Sequence, residues 1–409
     1  MEFERISVIG LGYIGLPTAA MFASHGVNVL GVDVSLEVTS VINRGDIHIF
    51  EPGLAEMVSN AVKLGRLTAT VTPEPADAFL ITVPTPFFKN EAGEPRPDLS
   101  HINAACEAIA PVLASGNLVV LESTSPVGTT ELVKQWLSEL RPDLRFPDGE
   151  CDDHDVCIAY CPERVLPGGI IRELVENERV VGGLSNGCSK MAGRLYGIFV
   201  RGDCHLTDAR TAEMCKLAEN ASRDVQIAFA NELSVVCELH GINIWSLIDF
   251  CNRHPRVNIL QPGPGVGGHC IAVDPWFIVS GAPHVTSLMQ TARKVNLSKE
   301  AWVIQKVQEY LKKTDCERIV IFGVAFKENI DDFRESPGLR IAKELHEILV
   351  GKVVIIEPNY EDLELAGMQV IGIEDFDANH DLCVLLVSHT EFAEMSKPKH
   401  LIDIKGVWR

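Results

Sequence analysis

A glycine-rich segment that ends in a cysteine is the first place in this sequence where chemistry could occur. It runs Gln261-Pro-Gly-Pro-Gly-Val-Gly-Gly-His-Cys270, and the carboxylate of Asp274 follows four residues later. Glycines let the backbone approach a bulky ligand and adopt positive φ angles, and an accessible thiol can act as a nucleophile. On these residues alone, Cys270 is either a nucleophile or an unreactive thiol on a flexible loop, since it is one of twelve cysteines in the chain.

A second group of reactive side chains recurs at helical spacing. Lys216, Asn220 and Arg223 lie at positions i, i+4 and i+7, so they share one face of a predicted helix. Such a stripe is either a solvent-exposed edge or the wall of a pocket. In the second case Lys216 and Asn220 could donate hydrogen bonds to an alkoxide or a tetrahedral oxyanion.

The N-terminal sequence carries the fingerprint of a dinucleotide site. Gly10, Gly12 and Gly15 follow an apolar strand and open a helix, an arrangement that places a pyrophosphate at a helix N-terminus. Asp33 closes the next strand, where a carboxylate accepts hydrogen bonds from ribose hydroxyls and disfavours a 2′-phosphate. We therefore predict NAD as the cofactor. The alternative is a structural turn followed by a surface aspartate.

Further polar residues follow the later strands of this region. Thr85 and Thr124 come after two apolar strands, and a doubly wound sheet binds its ligands at the carboxyl ends of its strands. They are candidates for cofactor or substrate contacts, or else cap helices and shape turns. Glu163 follows another apolar strand. Like Asp274, it is either a catalytic carboxylate or a solvated loop acid.

Together these groups fit a four-electron oxidation of an alcohol. A hydride would pass from a primary alcohol to NAD, and Cys270 would capture the aldehyde as a thiohemiacetal. A second hydride transfer would leave a thioester, which water hydrolyses. Asp274 would order a water or accept a proton near the alcohol, and Glu163 would assist the hydrolysis. A two-electron hydroxy-acid dehydrogenase and a non-catalytic nucleotide-sugar sensor are the alternatives.

The elements that must position these residues form three predicted parts. Apolar strands alternate with helices in the first and last parts, which indicates parallel sheets. The fold class is α/β: two Rossmann-like doubly wound domains, 1–205 and 313–409, joined by a long central helix (207–240) and a helical middle domain (206–312). Helices are also predicted over 15–25 and 285–312, and polar loops over 89–98 and 141–155. The predicted strands are 6–10, 27–33, 78–83, 118–122, 156–160, 318–323, 352–356 and 381–387.

Composition restricts the classes of partner. A net charge of −20 disfavours a nucleic-acid partner. No apolar run reaches the length of a membrane span and no N-terminal signal is evident, so we predict a cytoplasmic protein without membrane insertion. The cysteines lack paired spacing. Because Cys151, His154, Cys157 and Cys161 do not form a complete ligand tetrad, we predict no metal.

Several long motifs occur in order along the whole chain. They lie at residues 8–17, 159–168, 210–216, 254–263, 261–274 and 405–409. From Ile6 to the C-terminus they resemble the UDP-glucose/GDP-mannose dehydrogenase family. The resemblance implies an NAD domain, a C-terminal domain that helps to bind a UDP-sugar, and a homodimer formed through the central helix. It also implies that Arg256 acts in trans, in the sugar pocket of the partner subunit.

The resemblance implies roles for particular residues. Cys270 is then the nucleophile, and Lys216, supported by Asn220, stabilises the alkoxide and oxyanion. Asp274 assists the first oxidation through water, and Glu163 assists hydrolysis. Thr124 is a further catalytic candidate. The cofactor-binding residues are Gly10, Gly12, Tyr13, Ile14, Gly15, Asp33, Thr85, Thr124 and Arg334. The substrate-binding residues are Glu163, Arg164, Val165, Lys216, Asn220, Arg223, His254, Arg256, Gly267, Phe326 and Lys327.

Two positions depart from the UDP-glucose branch of that family. His269 stands where that branch has a small polar residue, and Glu163 is followed by Arg164 and Val165 instead of an aromatic–leucine pair. Both positions flank the sugar in the family, so they favour a 2-acetamido sugar. We predict UDP-N-acetylmannosamine, oxidised to its uronate for surface polysaccharide synthesis, with UDP-N-acetylglucosamine and UDP-glucose as alternatives. His269 could also favour the thiolate of Cys270, or point away from it.

Overall fold

A computed structural model describes residues 3–89, 95–149, 153–268, 270–316 and 318–409. Two compact units divide the chain, Met1–Ala218 and Glu219–Arg409. None of the helices in the described ranges is both long and apolar enough to cross a membrane.

The first unit is built on an eight-stranded sheet. Its strands are β1 (Arg5–Ile9), β2 (Asn28–Val32), β3 (Leu67–Thr70), β4 (Ala78–Ile81), β7 (Leu118–Leu121), β8 (Cys157–Tyr160), β9 (Arg179–Gly183) and β10 (Cys204–Asp208), with the separate pair β5 (Phe87–Lys89) and β6 (Pro95–Pro97). The strand order is β10-β9-β8-β7-β4-β1-β2-β3. The central strands are continuous apolar runs because both faces of the sheet are covered by a hydrophobic core.

Helices connect these strands and cover the two faces of the sheet. They are α1 (Gly15–Ser24), α2 (Leu36–Asn43), α3 (Leu54–Lys63), α4 (Ser100–Ile109), α5 (Thr129–Leu140), α6 (Ile170–Glu176) and α7 (Asn186–Tyr196), with a 3₁₀ turn at Ala110–Val112. Ser35 and Ser185 cap α2 and α7, each accepting a hydrogen bond from a backbone N–H of the first turn. The predicted loop over 89–98 is wrong at its ends, because β5 and β6 pair there as an antiparallel ladder.

Strand direction differs from the prediction at one edge of the sheet. The pairs that join β3, β2, β1, β4, β7 and β8, in this spatial order, are parallel. In contrast, β9 pairs antiparallel with β8. The connection between them, residues 161–178, contains the seven-residue helix α6. Because β9 runs antiparallel to β8, Arg179 at the start of β9 lies near the carboxyl end of β8, where Glu163 follows.

The long helix α8 (Ala209–Leu239) begins in the first unit and continues into the second. The second unit contains α9 (Ile244–Cys251), α10 (Asp274–Gly281), α11 (Ser287–Leu311), β11 (Ile319–Phe322), α12 (Pro337–Ile348), β12 (Val353–Ile356), β13 (Glu364–Leu365), β14 (Met368–Gln369), a 3₁₀ turn (Ile373–Asp375), β15 (Leu382–Leu385), α13 (Thr390–Ala393) and β16 (Leu401–Asp403). Its sheet is parallel in the order β12-β11-β15-β16. Both long helices lie within two residues of their predicted bounds.

Candidate active site

The turn between β1 and α1 has the shape of a phosphate cradle. Gly10 has φ +96°, and a Cβ there would lie 3.0 Å from the carbonyl oxygen of Thr82. A Cβ at Gly15 would collide with the carbonyl oxygen of Gly10, whereas Gly12 faces open space. Among the described residues, no side chain caps α1 and no acidic residue lies in its first turn. Its N-terminal N–H groups can therefore receive a phosphate, which fits NAD.

Asp33 lies just beyond β2, where the fingerprint predicts a ribose ligand. Its Oδ2 accepts from the backbone N–H of Leu11 at 3.0 Å, and its Oδ1 accepts from the N–H of Ser35 at 2.9 Å. These two hydrogen bonds fix the carboxylate against the glycine turn. Each oxygen keeps a further lone pair with which it can accept a ribose hydroxyl.

Two other candidates meet at the carboxyl ends of β4 and β7. Thr85 Oγ1 donates to the carbonyl oxygen of Thr124 at 2.5 Å. Ser123 Oγ donates to the carbonyl oxygen of Val83 at 2.7 Å, so the two segments are joined twice. Both threonines are half-buried. The structure brings them together, and their contacts with cofactor or substrate stay predictions.

Lys216 and Glu163 are joined inside the first unit. Lys216 Nζ donates to the backbone carbonyl oxygen of Glu163 at 2.6 Å, and both residues are buried. The carboxylate of Glu163 pairs with Arg179, whose Nη2 lies 2.9 Å from Oε2. A solvated edge of α8 is therefore excluded for Lys216, because its ammonium lies in a buried polar cluster.

The same cluster contains residues that the sequence analysis did not identify. Arg179 stacks on Tyr196, with Cζ 4.7 Å from the ring centroid, and Tyr196 donates to Glu122 Oε1 at 2.5 Å. Burial raises the pKa of Glu122 to about 7, although Arg179 opposes the shift. An arginine that opens an apolar run at residues 179–183 was the available signal for a buried ion pair.

A second cluster surrounds the cysteine segment. Asn220 Nδ2 donates to Asp274 Oδ2 at 2.5 Å, which joins α8 to the start of α10. The backbone N–H groups of Val273 and Asp274 donate to the carbonyl oxygen of Cys270 at 3.0 and 2.8 Å. Cys270 and Asp274 therefore lie one helical turn apart, with Cys270 half-buried and Asp274 buried. His269 lies outside the described residues.

A buried polar network holds the glycine segment from α8 and α11. Asn231 Oδ1 accepts from the N–H of Gly263 at 2.8 Å, and its Nδ2 donates to Asn296 at 2.9 Å. Asn296 in turn donates to Asp224 Oδ1 at 2.8 Å, and Arg293 pairs with the same oxygen at 2.6 Å. These side chains are buried, and the hydrogen bonds between them satisfy most of their polar atoms, although Asp224 Oδ2 and Arg293 Nε have no hydrogen-bond partner among the described residues. The backbone position of Gly263 depends on this network.

The segment after β11 packs directly on the glycine segment. A Cβ at Gly268, whose φ is +78°, would lie 3.0 Å from the ring of Phe326. One at Gly267 would lie 2.7 Å from the carbonyl oxygen of Glu335. The absence of side chains at these two positions therefore allows the close approach. The structure thus brings two predicted substrate residues, Gly267 and Phe326, into one place.

A buried Glu–His pair holds the backbone of the segment that follows β11. Glu357 Oε2 accepts from the N–H groups of Val324 and Ala325 at 2.7 and 3.0 Å. His389 Nε2 lies 3.0 Å from Glu357 Oε1, and both side chains are fully buried. Burial acts to raise the pKa of Glu357, but the hydrogen bonds from His389 and the backbone outweigh it and lower the pKa.

The remaining candidates are half-buried or exposed. Arg334 pairs with Asp332 at 2.5 Å, and Lys327 is half-buried. Arg164 Nη1 donates to the carbonyl oxygen of Glu178 at 3.2 Å. Val165 packs on the core of the first unit, whereas Tyr13 and Ile14 are half-buried beside the glycine turn. Of these side chains, Arg334 is exposed, as are Arg223, His254 and Arg256.

Models of one protein family match the chain in three successive blocks. The NAD binding domain matches residues 4–200, the central domain residues 210–298 and the UDP binding domain residues 320–409. The chain belongs to the UDP-glucose/GDP-mannose dehydrogenase family. It is an NAD-dependent UDP-sugar dehydrogenase, an oxidoreductase that acts on a CH–OH group.

Individual members of this family are similar over the full length. An NDP-N-acetyl-D-galactosaminuronic acid dehydrogenase of Ralstonia nicotianae is 53% identical, over 100% of this chain and 97% of its own. A UDP-N-acetyl-D-mannosamine dehydrogenase of Escherichia coli is 52% identical over 100% of both chains. The solved UDP-N-acetyl-mannosamine dehydrogenase of S. aureus has a TM-score of 0.87 at 40% identity, covering 98% of this chain and 95% of its own.

Proposed function

We propose that this enzyme oxidises C6 of UDP-N-acetyl-D-mannosamine to a carboxylate, with two NAD reduced for each sugar. The observation that carries the proposal is the helical turn from Cys270 to Asp274. It places a half-buried cysteine one turn before a buried carboxylate that accepts a hydrogen bond from Asn220. A two-electron alcohol oxidation needs no such thiol.

The proposed reaction proceeds through a covalent intermediate on Cys270. Bound NAD supplies the hydride acceptor. After the first oxidation, the thiolate sulfur bonds to the aldehyde carbon and gives a thiohemiacetal. Oxidation of this adduct gives a thioester, and water then releases the carboxylate and the thiol. In balance, one primary alcohol, one water and two NAD⁺ give one carboxylate, two NADH and three protons.

The other residues would serve charge and proton transfer in these steps. Lys216 would donate to the alkoxide and to the tetrahedral oxyanion, with Asn220 beside it on α8. Asp274 would order a water near the alcohol, and Glu163 would assist the attack of water on the thioester. The hydrogen bond from Lys216 to the carbonyl oxygen of Glu163 supports this assignment, because it fixes the ammonium without neutralising it.

The test of this mechanism is the stoichiometry of NADH production. We expect two NADH for each sugar consumed and a product mass that contains a new carboxylate. Cys270→Ser should lose full turnover while nucleotide-sugar binding is retained. Cys251→Ser, a change of another half-buried thiol in the same unit, should keep wild-type turnover. One NADH per sugar, or full turnover by Cys270→Ser, would contradict the mechanism.

The sugar epimer needs its own experiment. Relatives at nearly equal identity carry names with N-acetylmannosamine and N-acetylgalactosaminuronic acid. Initial rates should therefore be compared for UDP-linked N-acetylmannosamine, N-acetylglucosamine, N-acetylgalactosamine and glucose. We expect the highest kcat/KM with the mannosamine compound. One misplaced polar contact costs about 1–3 kcal/mol, so kcat/KM for the other sugars should be about 10–200-fold lower.

The proposal extends to assembly and location. We propose a homodimer through α8, supported by the exposed apolar side chains of Phe229, Val236 and Leu239. They recur at i, i+7 and i+10 and so share one face of the helix. Exposed Arg256 would act in the partner's sugar pocket. We further propose the three-part division 1–205, 206–312 and 313–409, a cytoplasmic location and a product destined for surface polysaccharide.

A further inference from the structure

Three metal-ligating side chains converge beside the start of β8 in the first unit. His154 Nε2 lies 3.6 Å from Cys188 Sγ, and His154 Nδ1 lies 4.0 Å from Cys157 Sγ. One ligand atom from each residue lies within 4.8 Å of the other two. Within the described ranges, no other set of three His, Cys, Asp or Glu residues is grouped this way.

This cluster differs from the one that the sequence suggested. Cys161 belongs elsewhere, because it is buried with its Sγ 3.8 Å from Arg179 Nη1. Cys151 lies outside the described residues. Cys188 joins the cluster from the first turn of α7, 34 residues after His154. The missing ligand of the sequence pattern is therefore supplied by tertiary structure.

One of the three ligand pairs already has the spacing of a tetrahedral zinc site. With zinc–sulfur and zinc–nitrogen bonds of about 2.3 and 2.0 Å, neighbouring ligand atoms lie roughly 3.5–3.8 Å apart. The distance from His154 Nε2 to Cys188 Sγ falls in this range. One imidazole gives a single nitrogen to an ion, and the ligand atoms of the cluster lie within 4.8 Å of one another, so a shift of about 1 Å brings all three to one ion. Two thiols and one imidazole are also ligands that favour Zn²⁺ over Mg²⁺ or Ca²⁺.

The sulfur of Cys188 is fixed in place by its neighbours. The backbone N–H of Ile158 donates to it at 3.4 Å, and Ser185 Oγ donates at 3.3 Å. Cys188 lies in the first turn of the eleven-residue helix α7. His154 and Cys157 are half-buried, so one side of the cluster is open to an entering ion and to water.

We propose that His154, Cys157 and Cys188 bind one Zn²⁺ ion, with water as the fourth ligand. The ion ties the segment before β8 to the start of α7. None of the three side chains belongs to the catalytic set, so the ion has a structural role. This site replaces the sequence-based prediction that the protein binds no metal, and it does not depend on the identity of the sugar.

The first test measures zinc affinity in the full-length enzyme. Protein stripped with a chelator is titrated with Zn²⁺ alone against a chromophoric competitor. We expect one tight equivalent in the wild type, and affinity more than about 100-fold weaker in Cys157→Ser and Cys188→Ser. Cys204→Ser, which changes a half-buried thiol outside the cluster, and Cys270→Ser should bind as the wild type does.

A second measurement covers the case in which the serine variants fold poorly. Co²⁺ added to the stripped wild type should give thiolate-to-cobalt charge-transfer absorption, and Zn²⁺ should abolish it and raise Tm. Much less than one equivalent of zinc in the wild type would overturn the proposal. So would wild-type affinity in Cys157→Ser and Cys188→Ser, or a disulfide between these two residues in freshly purified enzyme.

Discussion

Replacement of Arg179 by methionine tests whether a buried ion pair positions Lys216, the proposed catalytic lysine. Arg179 and Glu163 are almost fully buried, with exposed side-chain fractions of 4% and 7%. The change keeps the aliphatic part of the side chain but removes the guanidinium that pairs with the Glu163 carboxylate. The carboxylate then stays buried without its cation, next to a second buried carboxyl at Glu122.

The size of the effect follows from the burial of the pair. Removing one partner of a buried ion pair costs about 3–5 kcal/mol, because the remaining charge is left uncompensated. We therefore expect Arg179→Met to lose about 3–5 kcal/mol in the free energy of unfolding.

The assay is a double-mutant cycle read by urea unfolding and by NADH production. Arg179→Met combined with Glu163→Gln should recover at least about 2 kcal/mol of the single loss, because no charge is left unpaired. Arg172→Met is the control. It breaks an exposed pair with Glu176 and should cost less than about 1 kcal/mol.

Turnover should respond separately from stability. Lys216 contacts the backbone of Glu163, so a shift of that segment moves the ammonium. We expect kcat of Arg179→Met to fall about 10–100-fold at a temperature where the protein is folded. A loss of stability below about 1 kcal/mol, or a coupling free energy near zero, would refute the reasoning. Unchanged kcat would refute the positioning role alone.

Three further predictions concern the second unit. Glu357→Gln should lower the free energy of unfolding at pH 7 by about 1–3 kcal/mol. Because the pKa of Glu357 is lowered in the folded state, the wild type should lose this advantage as the pH falls below the ordinary glutamate pKa and through the folded-state pKa. Equal differences at pH 7 and pH 3 would contradict it. Burial lowers the pKa of Lys299 to about 7, so unfolding measured from pH 7 upward should show wild-type stability rising towards the ordinary lysine pKa. Lys299→Met should lack this rise and be more stable than wild type below pH 7; a parallel rise in both proteins would refute the assignment. Asn231→Ala leaves the N–H of Gly263 without its acceptor. It should reduce kcat and lower the free energy of unfolding by about 1–3 kcal/mol, the cost of a buried unsatisfied donor, which thermal unfolding would show as a lower Tm. Wild-type kcat would show that the glycine segment is held by other contacts.

The geometry of the glycine turn was predictable because its signals are local. Gly10, Gly12, Gly15 and Asp33 fall within 24 residues. Gly10 and Gly15 have steric reasons at their positions, and Asp33 has hydrogen bonds that fix it against the turn. The long helices were predictable for the same reason, since their periodic patterns are unbroken. Contacts of this kind depend on neighbours in sequence, which a single chain displays directly.

The ion pair of Arg179 was not predictable because it depends on strand direction. Parallel pairing of β8 and β9 would have carried Arg179 to the opposite end of the sheet from Glu163. Likewise, Asp224 and Asn231 recur at i, i+7, a spacing that also describes a solvent-exposed face. Only the packing of α11 on α8 shows that this stripe is buried. The sequence contains these side chains but not the partner that decides their role.

One type of contact recurs around the proposed catalytic residues. Asn231 holds Gly263, Glu357 holds Val324 and Ala325, and Lys216 is held by the backbone of Glu163. In each case a buried polar side chain bonds to the backbone of a segment that carries predicted site residues. Buried polar groups add little net stability, so their effect here is on position. Substitutions of Asn231 or Glu357 should therefore lower kcat more than core substitutions elsewhere that cost the same free energy of unfolding.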